Sequence, residues 1–225
     1  MKMQTRQSGF TLVEIAIVLV IIGLLLGGIL KGQEMITQAR IKNVVNDLNG
    51  ITAAYFSYQD RYKAIPGDDL AANTRWNTFA VVAGTGNGQL AGLYMDAPGA
   101  APPGVANESL LFWWHLRAAG FVPGPTQGQG AWSQPTNAVG GILGAQTGAF
   151  TATTVGTPLT GNVVCTSNIP DKIAGAVDSQ LDDQRSSSGN LRSLQAGGNV
   201  TANAGDLAAN YTETGNQQYL MCKSI

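Results

Sequence analysis

Gly9-Phe10-Thr11-Leu12-Val13-Glu14, continued by IAIVLVIIGLLLGGIL from Ile15 to Leu30, decides how this chain is read. Glu14 is the one ionisable side chain in that run. A helix over Phe10 to Leu30 reaches roughly 30 Å, the thickness of a bilayer's hydrocarbon core. The preceding residues 1–9, MKMQTRQSG, carry Lys2 and Arg6 and no acid. Basic residues on the short leading side keep that end in the cytoplasm and place the bulk of the chain across the membrane.

In an ordinary secretory signal, small residues and a cut follow the apolar core. Here the small residue, Gly9, comes first, so a cut after it removes the basic leader and leaves the helix attached. An uncleaved signal anchor has the same hydropathy, and Glu14 separates the two. A carboxylate inside a bilayer costs about 2.5–3.5 kcal/mol on insertion scales and calls for a partner. No Lys, Arg or His in the run supplies one. A cut after Gly9 frees an amine on Phe10, about one helical turn away. The amine of an adjacent subunit offers the same charge and would set the register between neighbours.

These residues resemble the processing site of type IV prepilins and type II secretion pseudopilins, and all six positions from Gly9 to Glu14 fit it. In that family an inner-membrane peptidase cuts after the glycine and methylates the new N-terminal residue, and a glutamate at the fifth mature position is needed for assembly. The resemblance thus implies that Gly9 ends the leader, that Phe10 becomes the N-methylated terminus, and that Glu14 is the assembly residue. It implies as partners the prepilin peptidase, the lipid bilayer, an inner-membrane assembly platform, and identical or related pilin subunits. The expected location is the bacterial inner membrane, single-pass with the N-terminus cytoplasmic, and then a periplasmic or extracellular filament.

Beyond Lys31 the pattern turns one-sided. Ile41, Val44, Leu48, Ile51, Tyr55 and Tyr58 recur at spacings of 3, 4, 3, 4 and 3. This is an apolar seam on one helical face. One helix from about Thr11 to about Tyr62 is expected, roughly 75 Å long, stopping near Ile65-Pro66-Gly67. The seam is expected to pack on the chain's own C-terminal domain. The expected organisation is a leader at 1–9, a transmembrane and assembly half-helix at 10–30, an amphipathic half at 31–65, and an extracytoplasmic pilin-like domain at 66–225.

Within that domain, residues 66–106 read as a loop-rich connection with one short element around Trp76 to Val82. Asn107 to Gly120 reads as a helix, with Asn107 as N-cap and Gly120 as stop. Its Leu110, Trp113, Trp114 and Arg117 share a face, read as core rather than a ligand site. His115, the one histidine, has no metal-ligand or nucleophile spacing beside it and reads as structural or solvated. Strands are expected at Val139–Leu143, Gly148–Val155, Asn162–Thr166 and Gln218–Lys223, with a short helix at Pro170–Leu181. The fold class is α+β: a long N-terminal helix against a small antiparallel sheet.

Cys165 and Cys222 are the only cysteines, and in a domain outside the cytoplasm they suggest one disulfide. Two unpaired buried thiols are the alternative. Asp178, Asp182 and Asp183 bunch near a turn as hard oxygen ligands suited to Ca²⁺, and some pseudopilins bind calcium in a C-terminal loop. The spacing is not that of an EF-hand, and adjacent aspartates commonly make turns, so no cofactor is expected. A net charge of −1 gives no electrostatic reason for a nucleic-acid partner. No carboxylate pair, triad, phosphate loop or metal motif points to an enzyme. The expected function is a major or minor pilin, serving adhesion, motility or DNA uptake. A secretion pseudopilin is the alternative, and a membrane-anchored binding domain or enzyme the remote one.

Overall fold

The computed structural model describes residues 11–151, 156–202, 207 and 210–225. Gly9 and Phe10 lie outside the described residues, as do positions 152–155 of one expected strand. By its contacts the chain divides into two units, 1–39 and 40–225. Helix α1 (Leu12–Tyr62) contributes to both.

In the first unit, every large apolar side chain from Leu12 to Ile36 is exposed. A helix that is apolar all round and uncovered is stable only in lipid or among other helices. It is long and apolar enough to cross a membrane. Lys31 and Glu34 pair across one turn at 2.8 Å, where the helix becomes polar.

In the second unit the seam is buried as its spacing predicts: Ile41, Val44, Leu48, Ile51, Tyr55 and Tyr58 all face the core, with Ala54 between them. Burying each large side chain contributes about 1.5–3 kcal/mol. The helix ends where Lys63 turns left-handed at φ 54°. Gly67 follows at φ 94°, close against the Glu108 carbonyl, where any Cβ would clash. Residues 66–106 hold one helical turn, α2 (Ala72–Arg75), and short 3₁₀ turns at Asn77–Phe79 and Val105–Asn107.

Helix α3 (Glu108–Ala118) follows, and Glu108 through Arg117 are all buried, so the expected aromatic face is core on every side. Asn107 sits at the N-cap but makes no capping bond with its side chain. A turn of helix, α4 (Gln129–Trp132), lies against α3, with Trp114 and Trp132 4.9 Å apart.

Four antiparallel strands form one sheet: β1 (Leu143–Ala149), β2 (Leu159–Pro170), β3 (Leu191–Gln195) and β4 (Gln218–Ser224), in the order β1-β2-β4-β3. Side chains alternate between two apolar layers, as the two-residue period of a strand requires. Val164, Ile169, Tyr219 and Met221 join the layer containing the α1 seam and α3. Val163, Cys165, Leu220 and Cys222 face the other, with Tyr94 and Phe150. Helix α5 (Asp171–Leu181) starts directly from the end of β2, with Pro170 at its N-cap. The architecture is α+β and pilin-like, a long N-terminal helix packed against a small antiparallel sheet.

Two expected strands are displaced. Residues 139–141 of the expected Val139–Leu143 strand form a turn, because Gly140 adopts φ 87° and the Asn137 side chain accepts from the Val139 and Gly141 N–H groups, while Ile142 makes only an isolated bridge to Thr136. The strand instead begins at Leu143 and ends at Ala149, before Phe150 turns left-handed at φ 61°. Strand β3 was not expected at all.

Candidate assembly site and the buried polar clusters

At the start of α1, Thr11 and Glu14 hold each other. The Thr11 N–H and hydroxyl both donate to Glu14 Oε2 at 2.8 Å, and the Glu14 N–H reaches Thr11 Oγ1 at 3.3 Å. This is the reciprocal capping box, which satisfies amide donors that a helix N-terminus leaves unpaired. The sequence signal, Ser or Thr three residues before Glu, stands at Thr11-Leu12-Val13-Glu14. Among the described residues no cation lies within ion-pair distance of Glu14. The box satisfies hydrogen bonds but leaves the negative charge uncompensated on an apolar, uncovered helix.

Residues 4–30 match the family model described as the prokaryotic N-terminal methylation motif. The chain carries the prepilin-type motif. No curated protein and no solved structure matches the chain. Processing by a prepilin peptidase and assembly with other pilin-type subunits are what the prepilin-type motif implies.

The domain attached to this prepilin-type N-terminus has its cysteines directly opposite on β2 and β4, and Cys165 and Cys222 form a disulfide. It stitches strands that already pair, on the sheet face away from α1.

Asp178, at the end of α5, and Asp182 and Asp183 just after it do converge, each offering an oxygen within 4.8 Å of the others. All three carboxylates are already engaged. Asp178 accepts from the Tyr211 hydroxyl at 2.5 Å and the Gln184 N–H at 3.2 Å. Asp182 accepts from the Asn190 and Leu191 N–H groups, and Asp183 from the Arg185 N–H and the Ser188 hydroxyl. Together they fasten residues 182–191 to the end of α5 and lead the chain into β3. Burial, and then the neighbouring Asp182 and Asp183 charges, push the Asp178 carboxyl up to about 6, against the Tyr211 and Gln184 hydrogen bonds. Calcium takes six to eight oxygens, of which these side chains offer three.

A second polar cluster escaped the sequence reading. The Asp68 carboxylate, 4% exposed, accepts from the Gly86, Asn87 and Gly88 N–H groups at 2.5, 3.0 and 2.6 Å. Glu108 accepts from the Thr85 and Ala91 N–H groups at 2.8 and 3.0 Å. Asp69 accepts from the Tyr58 hydroxyl at 2.7 Å and pairs with Arg75. Burial works to raise the Asp69 carboxyl, but its bonds with Tyr58, Arg75 and Ala71 outweigh that and hold it below the usual range.

His115 completes the cluster. Its Nδ1 accepts the Gly67 N–H at 2.9 Å, so the proton is on Nε2, which donates to the Val82 carbonyl at 2.8 Å. Burial pushes its pKa down to about 4, so the ring is neutral. These side chains tie the mostly irregular segment 66–91 to α1 and α3. Their donors and acceptors are spent on the chain itself.

Proposed function

We propose that this chain is a structural subunit, a pilin, of a type IV pilus-like filament. Prepilin peptidase cuts after Gly9 and methylates Phe10, and the mature subunit waits in the inner membrane with α1 as its anchor. The assembly platform then draws it into a filament, where Glu14 of one copy meets the new amine of its own or a neighbouring copy. The reading rests on one observation: an uncompensated carboxylate in an uncovered apolar helix, five residues after Gly9 and its basic preceding stretch. The match at residues 4–30 supports it. The domain from residue 40 onward is the displayed part, and no catalytic role is assigned to it.

Mass spectrometry of the native protein tests this directly. Loss of residues 1–9 with a methyl on Phe10 is expected, and Gly9→Leu should leave an uncut, membrane-bound precursor. Normal mass loss in that variant would refute the cut. The acidic cluster at Asp178 is the one observation favouring the alternative of a type II secretion pseudopilin. Deleting the gene separates the two: loss of surface fibres marks a pilin, retention of a secreted protein in the periplasm a pseudopilin.

A further inference from the structure

Asp47 is a half-buried carboxylate with nothing opposite it. It lines an open cavity of about 270 Å³ whose largely apolar walls include Ile51 of α1, Trp113 of α3, Phe121 and Leu143, with Asn46 and Thr136 as the other polar groups. Among the described residues it makes no hydrogen bond or ion pair, and burial alone raises its pKa. Partial burial disfavours the charged form of this carboxylate, and a cation entering the cavity would favour it. The walls suit a cation on an aliphatic stem, since such side chains lay their methylenes on apolar surface and keep the charged head at a polar group.

Two exposed cations without an acid partner lie nearby on the same helix, Arg40 and Lys42. Helix geometry distinguishes them. Arg40 is seven residues from Asp47, within about 20° on the same face, which suits a two-fold antiparallel pair. Lys42 is five residues away, about 140° round the helix and about 7.5 Å along it. Parallel copies that repeat head-to-tail, rather than about a two-fold, meet through nearly opposite faces, and in that arrangement Lys42 is the residue that a staggered neighbour turns towards the cavity.

We propose that the Asp47 cavity is a subunit contact that receives the Lys42 side chain of a second copy of this chain. This contact rests on the filament reading above. It adds a heterologous, head-to-tail link in the second unit, separate from the pairing at Glu14, and fixes stagger as well as proximity.

Charge exchange in the full chain tests it. Lys42→Asp alters an exposed residue, so folding should be untouched; filament yield should fall about tenfold or more, because like charges at a contact are strongly unfavourable. Asp47→Lys should do the same, and combining the two should restore assembly. Arg40→Asp should assemble normally. Full assembly of Lys42→Asp, or no rescue in the double variant, overturns the contact. Should the unaltered chain itself form no filaments, it is the filament reading that fails rather than this contact.

Discussion

Glu14 Oε2 receives two hydrogen bonds from Thr11, one from its N–H and one from its hydroxyl, both at 2.8 Å. Glu14 therefore has two separable roles, starting the helix and carrying a charge. Glu14→Gln keeps an acceptor for Thr11 and removes the charge. It should insert and be processed normally yet fail to assemble, as is also expected of Glu14→Val. Sheared-fibre yield checks this; wild-type yield from Glu14→Gln would mean the capping bond alone matters. Losing the cap itself is worth about 0.5–2 kcal/mol, too little to unfold a membrane helix.

The neutral His115 makes the fold acid-sensitive. Its folded pKa of about 4 lies below the usual 6.5, so the unfolded chain binds the extra proton. The contribution is whole above pH 6.5 and is lost as pH falls towards 4, by up to roughly 3 kcal/mol. His115→Gln can keep a donor and an acceptor without titrating there. Melting of the full chain in detergent should show wild type ahead at pH 7.5, with its advantage shrinking by pH 4.5. An advantage independent of pH would contradict a ring buried neutral.

The raised Asp178 carboxyl acts in the opposite direction, gaining stability as pH falls through 6. Because its oxygens are already bonded, millimolar Ca²⁺ should leave the melting temperature where a matched magnesium or sodium control puts it. A calcium-specific rise of several degrees, abolished by Asp182→Asn, would make the cluster a metal site and favour the secretion reading.

The disulfide closes a separation of 57 residues. Replacing both Cys165 and Cys222 by Ala should cost about 4 kcal/mol on the loop-entropy model. Denaturant unfolding with and without reductant measures this. Equal midpoints for the unreduced wild type and the double variant would show that the bond adds nothing to strands already paired.

The helical half of the fold was legible because its signals are periodic. Ile41 to Tyr58 carries the 3–4 spacing in full, and Lys63 and Pro66 close it within a turn of the expected place. The sheet was less legible. Strand β1 reads Leu-Gly-Ala-Gln-Thr-Gly-Ala, with little β-branched character, and β3 is five residues containing Arg, Ser and Gln. Their partners, not their propensities, make them strands. The Asp68, Asp69 and Glu108 clamps were invisible for another reason: each joins residues far apart in the chain, and no local pattern encodes which amide a carboxylate will find. The Thr11-to-Glu14 box is legible as Thr-x-x-Glu, but it is a hydrogen-bond signal and says nothing of the counter-charge that an acid in an apolar run calls for.

The last strand in chain order occupies an interior lane of the sheet. Until β4 arrives, β3 has no neighbour and Cys165 has no mate, so a chain still lacking β4 can complete little more of the sheet than the β1–β2 hairpin. Closure waits for the final segment, after which oxidation locks it. That order leaves the β2 edge, and the aggregation hazard of an open edge, uncovered until β4 pairs with it.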